Sequence, residues 1–172
     1  QPAPDSVIAD QQKLIIASVV GTRPEAIKMA PVCRALARCP DIHHVLISTG
    51  QHRSQLDQVF AYFDLTPDVD MDLMGKSRNL NELSAQVLLG MDTLLQQFAP
   101  HLLLVQGDTT TAFTASLAAF QAGVAVGHVE AGLRSGDIMN PYPEEAKRRF
   151  ISTFASLHFA PTSLARQRLL AE

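Results

Sequence analysis

Residues 127–149 read GHVEAGLRSGDIMNPYPEEAKRR: four carboxylates, four basic side chains, three glycines and two prolines behind an apolar run. Carboxylates held among ammonium and guanidinium groups can move protons near neutral pH, because burial and neighbouring charge set where each one titrates. The same residues also describe a plain polar loop and a helix start, in which Pro143 suits the first helical turn and Glu144 and Glu145 suit its positive end. Length separates the two descriptions. Roughly ten irregular residues with charges of both signs, inside a compact domain, more often form a binding or catalytic loop than a connector.

Such groups need a scaffold, and the rest of the chain supplies one by repetition. Apolar runs at 13–20, 43–49, 101–106 and 124–129, with shorter ones at 69–73 and 157–160, are rich in β-branched residues and have strand length, as strands covered on both faces do. Helical patterns lie between them. Pro24 opens a helix that runs through Glu25 toward Leu36 with a kink at Pro31. Residues 55–63 place Leu56, Val59, Phe60 and Phe63 on one helical face. Asn79 and Glu82 form a capping box ahead of a long helix patterned by Leu80, Leu83, Val87, Met91, Leu94 and Phe98 and ended by Pro100. Ala112, Ala115, Ser116 and Ala119 give the next helix a small face for close approach to a sheet. Further helices are expected over 143–154 and after Thr162. This alternation predicts an α/β fold, a doubly wound, Rossmann-like parallel sheet of six strands in a three-layer α/β/α unit spanning 13–172. Residues 1–12, QPAPDSVIADQQ, have neither the basic start nor the apolar core of a signal peptide and are expected to form a loose tail.

Ligands of such sheets bind outside the carboxyl ends of the strands. Those ends supply Arg23, then Gln51 and His52, then Asp108, then Glu130 with Arg134, so four polar turns should converge along one edge. Arg23 and Lys28, at the first helix, suit an anionic ligand, although Lys28 has an equal claim to be a solvated helix residue. Asp108 stands where a helix N-cap belongs, and capping alone would explain it as well as catalysis would. His128 is expected to face the core or a neighbouring strand, and the spacing of His43, His44, His101 and His158 does not make a metal site. His52 is the one histidine placed at the ligand edge.

Several classes are disfavoured. A dinucleotide fold wants GxGxxG after the first strand and an acidic residue ending the second, where this chain has GTRPEA and TGQHR. Gly75-Lys76-Ser77 ends like a phosphate loop, but the earlier glycine of that motif falls on Asp70. A net charge of -3 with scattered arginines argues against nucleic acid. No apolar run reaches membrane-spanning length. Cys33 and Cys39 lie outside metal or redox spacings and are expected to stay reduced in the cytosol.

Five ordered motifs, GTRPEAIKMAP at 21–31, TGQHRSQLDQV at 49–59, GDTTT at 107–111, GHVEAGLRSGD at 127–137 and PYPEEAKRR at 141–149, closely resemble bacterial non-hydrolysing UDP-N-acetylglucosamine 2-epimerases. The chain departs from that family's pattern at Ser54, Lys147 and Arg149. The resemblance implies two doubly wound domains facing across a cleft, a GT-B-like architecture in which this chain is the amino-terminal half and is inactive alone. It implies a second domain, absent here, that holds most of the uridine diphosphate contacts, and a homodimeric, cytoplasmic enzyme supplying UDP-N-acetylmannosamine for envelope polysaccharides. Asp108, Glu130 and Glu144 fall on its catalytic positions, and Arg23 and Lys28 on substrate-binding ones. Gln51, Arg78 and Glu145 fall on motifs tied to a regulatory UDP-sugar contact.

Carboxylates make chemical sense of that reaction. The proton on carbon 2 of the sugar is barely acidic, since no carbonyl adjoins it. Breaking the bond from carbon 1 to the diphosphate creates an oxocarbenium-like centre that acidifies this proton, and a carboxylate then removes it. The products are UDP and 2-acetamidoglucal. Re-addition of UDP with protonation from the opposite face gives the epimer, which calls for acid/base groups on two sides and an enclosed site but neither a nicotinamide cofactor nor a metal. Which carboxylate serves which face stays open, and two other functions remain: a GT-B-type glycosyltransferase half, and a non-catalytic nucleotide-sugar binding or dimerisation domain.

Overall fold

Neighbouring residues of the central strands point into different cores, and this is why their sequences are continuously apolar. In the computed structural model, which describes residues 13–50, 53–73 and 75–172, the elements in order are β1 (Leu14–Val20), α1 (Arg23–Ala37), β2 (Ile42–Ser48), α2 (Arg53–Phe63), β3 (Val69–Asp70), α3 (Leu80–Phe98), β4 (Leu102–Gln106), α4 (Thr110–Gln121), β5 (Ala125–Val129), α5 (Glu144–Phe154), β6 (Leu157–Phe159) and α6 (Ser163–Leu170). Ala17 and Val19 of β1, Val45 and Ile47 of β2, and Leu103 and Val105 of β4 join one core with α3, α4 and α5 residues such as Val87, Met91, Ala115 and Ile151. Val20, Leu46 and Leu104 join a second core with Ala26 and Met29 of α1 and Leu56 and Phe60 of α2. The sheet is thus sandwiched between two helical layers, as the strand period of two requires.

All strand pairs are parallel, and the order is β3-β2-β1-β4-β5-β6. The chain builds outward from β1 to β3, crosses back through α3, and builds the other way from β4. Between β1 and β4 the succession reverses, and the carboxyl ends of these two strands flank the crevice where a doubly wound sheet takes its ligand.

Four local expectations change. Residues 71–73 do not continue β3: Asp72 adopts a left-handed φ of 51°, which an extended strand cannot contain. Leu80 is exposed, and the buried seam of α3 runs through Leu83, Val87, Met91 and Leu95. Asn79 caps α3 by accepting the Glu82 N–H at 2.9 Å, but the Glu82 carboxylate reaches back to Arg78 N at 2.8 Å rather than to Asn79, so only half of the capping box forms. Pro143 takes the N-cap position of α5, one residue earlier than a first-turn proline. The small face of α4 is as expected, with Ala112, Ala115, Ser116 and Ala119 fully buried.

Candidate active site

The carboxyl end of β5 aims Glu130 with strained backbone. Its φ is +68°, a left-handed conformation that costs a non-glycine residue about 1–3 kcal/mol. The turn is fixed because the N–H groups of Glu130 and Ala131 both donate to the carbonyl of Phe159, the last residue of β6, at 3.1 Å. The carboxylate meets Lys28 Nζ, from the second turn of α1, at 2.6 Å, and accepts from Gln106 Nε2, the last residue of β4, at 2.8 Å. Three elements distant in sequence therefore meet at one carboxylate. The side chain of Lys28 is half exposed and that of Glu130 a quarter exposed, so the pair faces the open edge.

Asp108 lies one turn away, after β4. It is not the N-cap: Thr109 is, its hydroxyl accepting from Ala112 N at 3.0 Å. Relieved of capping, the half-buried Asp108 carboxylate lies 3.6 Å from Arg148 Nε of α5. Burial pushes its pKa upward, the Arg148 charge opposes this, and Glu144 and Glu130 add repulsion that raises it further. Lys147 works with Arg148, its ammonium donating to Thr110 Oγ1 at 2.8 Å at the head of α4. Burial lowers the pKa of Lys147, while Glu144 and Asp108 hold it up. Asp108, Glu130 and Glu144 thus share one electrostatic neighbourhood with Lys28, Lys147 and Arg148. A carboxylate repelled by two others, only partly neutralised and close to a ligand crevice, is suited to proton transfer.

Beneath this cluster lies a carboxylate that went unnoticed among the candidates. Glu25, in the first turn of α1, is 1% exposed. Its Oε2 accepts from Gly21 N at 3.0 Å, Thr22 N at 2.7 Å and Thr22 Oγ1 at 2.9 Å, and its Oε1 accepts from Thr109 Oγ1 at 2.6 Å. The Thr22–Glu25 spacing is a capping-box signature and could have marked it. Gln106 is not among the sequence candidates either, and nothing local in the sequence singles it out, while Lys147 stands out there only as a departure from the family pattern.

Other candidates fall elsewhere. Arg134 does not project to the ligand edge: its guanidinium donates to Glu172 at 2.7 and 2.9 Å, to Ser152 Oγ at 2.8 Å and to the carbonyl of Leu133 at 2.8 Å, and its side chain is only 6% exposed. The loop after Gly132 turns it inward against the end of α6. Glu145 is fully buried rather than presented to a regulatory ligand. Burial works to raise its pKa, but the Ser135 N–H, the hydrogen bond from Arg149 and the charges of Arg148 and Arg149 prevail and hold it below the usual carboxylate range. Arg78 is exposed and paired with Glu82 at the start of α3. Arg23 is exposed at the head of α1, beside Ile27, Gln58 and Tyr62. Gln51 and His52 lie outside the described residues. His128 is buried as expected, its Nε2 2.7 Å from the carbonyl of Gly107. Among the described residues no group of three His, Cys, Asp or Glu side chains is arranged as a metal site. No helix among them is long and apolar enough to cross a membrane.

A doubly wound unit with its charged residues gathered beside the strand-order reversal is a Rossmann-like half of the GT-B-like class. A lipopolysaccharide outer core galactosyltransferase in its apo form shares this fold at a TM-score of 0.62 and 13% identity. Within that class the sequence is more specific: a family model described as UDP-N-acetylglucosamine 2-epimerase matches residues 34–172, and the chain belongs to that family. It is 48% identical over 157 residues to the UDP-N-acetylglucosamine 2-epimerase of Yersinia pestis, covering 91% of this chain and 42% of that one. The crystal structure of the Neisseria meningitidis UDP-GlcNAc 2-epimerase bound to UDP-GlcNAc superposes at a TM-score of 0.90 with 44% identity, over 92% of this chain and 43% of that one. The chain therefore spans less than half the length of the relatives it matches.

Proposed function

We propose that this chain forms one wall of an enzyme that reversibly epimerises UDP-N-acetylglucosamine to UDP-N-acetylmannosamine by eliminating and re-adding UDP. The observation that carries this is the grouping of Asp108, Glu130 and Glu144 with Lys28, Lys147 and Arg148 outside the β1/β4 crevice. A carboxylate takes the carbon 2 proton as the carbon 1–oxygen bond breaks, with the bonding pair leaving on UDP and a carbon 1–carbon 2 double bond forming. A second carboxylic acid returns a proton to the opposite face as UDP re-adds. Asp108, its pKa raised by burial and by Glu144 and Glu130, is suited to hold a proton as the acid. Lys28, poised on Glu130, couples the charge of that carboxylate to an arriving anionic ligand. The chemistry we infer asks for no redox cofactor.

The facing wall, with most of the contacts to uridine diphosphate, we assign to the part of the protein that corresponds to the remaining length of the relatives. We place the reaction in the cytosol, consistent with two unpaired cysteines, Cys33 and Cys39. The test is to incubate the intact protein with UDP-N-acetylglucosamine in deuterated water and follow carbon 2. Equilibration of the two sugars with deuterium entering at carbon 2 is expected. Transfer of the sugar to an acceptor with carbon 2 unchanged would indicate a glycosyltransferase, and tight binding without turnover a binding module.

A further inference from the structure

We propose that Glu25 is a positioning residue for Asp108: its buried carboxylate joins the heads of α1 and α4 and fills, from within the chain, the anion-binding place of the β1/β4 crevice. The inference rests on the epimerase reading for its kinetic test and on geometry for its structural one.

Helix N-termini at the strand-order reversal of a doubly wound sheet present free N–H groups and a positive dipole end, which ordinarily attract a phosphate. Here both sides of that crevice are engaged by one internal carboxylate. Oε2 takes the N–H groups of Gly21 and Thr22 and the Thr22 hydroxyl on the α1 side, and Oε1 takes the Thr109 hydroxyl on the α4 side. Thr109 also receives Ala112 N at 3.0 Å, so its oxygen is held from both directions, and Asp108 is the residue before it. The surroundings close tightly around this link. A Cβ on Gly21 would lie 2.4 Å from Thr111 Oγ1 and 2.8 Å from Thr49 Oγ1, so the turn after β1 lies directly against α4 and the residue that follows β2.

Two consequences follow. An anionic ligand cannot use the Gly21 and Thr22 N–H groups, because a carboxylate already holds them, so its phosphates are steered toward Lys28 and Arg23 or the facing wall. Asp108 is also set relative to α1, the helix that carries Lys28, by a link spanning 84 residues of sequence. Displacement by about 1 Å is enough to cost an enzyme on the order of a hundredfold in rate.

The decisive experiment is chemical rescue. Glu25→Ala leaves a space lined by four hydrogen-bond donors, and formate is a carboxylate small enough to enter it. In the intact protein, Glu25→Ala is expected to lower kcat at least about tenfold with KM for the UDP-sugar changed much less. Formate should restore kcat, and chloride at equal ionic strength should not. Normal kcat in a folded Glu25→Ala protein overturns the proposal, and so does formate that restores thermal stability without restoring kcat, which is the mark of a purely structural residue. Should Glu25→Ala fail to fold, Thr109→Val against Thr109→Ser decides: serine keeps the hydroxyl to Glu25 and should retain far more kcat than valine, and equal values overturn the link. If the wild-type protein epimerises nothing, NMR still tests the geometry. Formate should then shift the Gly21 and Thr22 amides of Glu25→Ala and return the Asp108 carboxyl titration to its wild-type position, and absence of both effects refutes the proposal.

Discussion

Two charge clusters share residues 130–149, and they are built to opposite specifications. In the inner one, Glu145 is fully buried, accepts from Ser135 N and from Arg149 Nε and has the Arg148 charge at 3.1 Å, and Arg134 spends its donors on Glu172, Ser152 and Leu133. In the outer one, Asp108 has a single guanidinium at 3.6 Å, Glu130 holds a half-exposed lysine from a strained backbone, and Glu144 contributes charge to both Asp108 and Lys147. Glu144 and Glu145 are adjacent in sequence yet belong to different clusters. A carboxylate whose hydrogen bonds are complete is a pillar, whereas one whose charge is only partly matched retains free energy for a ligand or a proton.

The sharpest way to break this contrast is to remove the pillar. Glu145→Ala leaves Arg148 and Arg149 without their buried partner and is expected to cost about 3–5 kcal/mol of stability, read by denaturant unfolding. A loss below about 1 kcal/mol would erase the distinction between the clusters.

Acid should act on the buried side as well. Burial lowers the pKa of His128 to about 4 from its ordinary 6.5. The unfolded chain therefore binds this proton between those values while the folded protein does not, so stability is fully present above pH 6.5 and falls as pH drops toward 4. The contribution is at most about 3 kcal/mol. Subtracting the pH profile of His128→Gln from that of the wild type should isolate it, and identical profiles would contradict it.

In the outer cluster the expected loss is kinetic. Asp108→Asn, Glu130→Gln and Glu144→Gln should each reduce turnover of the intact enzyme by about a hundredfold or more while changing stability by less than about 1 kcal/mol. Folded variants with near-normal deuterium exchange at carbon 2 would remove these residues from the chemistry.

The smallest effect concerns the turn that separates the clusters. Gly132 has a φ of +88°, and a Cβ there would lie 2.4 Å from the carbonyl oxygen of Ala165 in α6. Gly132→Ala should cost about 1–3 kcal/mol and loosen Arg134 more than Glu130. Thermal unfolding beside turnover separates the two effects.

What the sequence determined by itself was the layering of the fold and the edge on which the chemistry sits. Continuous apolar runs such as 13–20 specify strands buried on both faces, and parallel strands put all their following turns on one edge, so Asp108 and Glu130 were legible as neighbours, whereas the pairing of Lys28 with Glu130 was not. Local rules also marked Thr162 as a cap and the small face of α4. Tertiary structure alone decided which charges are open and which are closed. Arg134 and Glu145 have the residue types of site members, but burial depends on where Gly132 turns the chain and on what α6 brings back across it, and neither is encoded within a few residues of them. The same holds for Asp108, whose capping role passed to Thr109, and for Glu25, whose partner lies 84 residues away. Hydrogen-bond saturation is a property of the assembled neighbourhood, set by contacts distant in sequence.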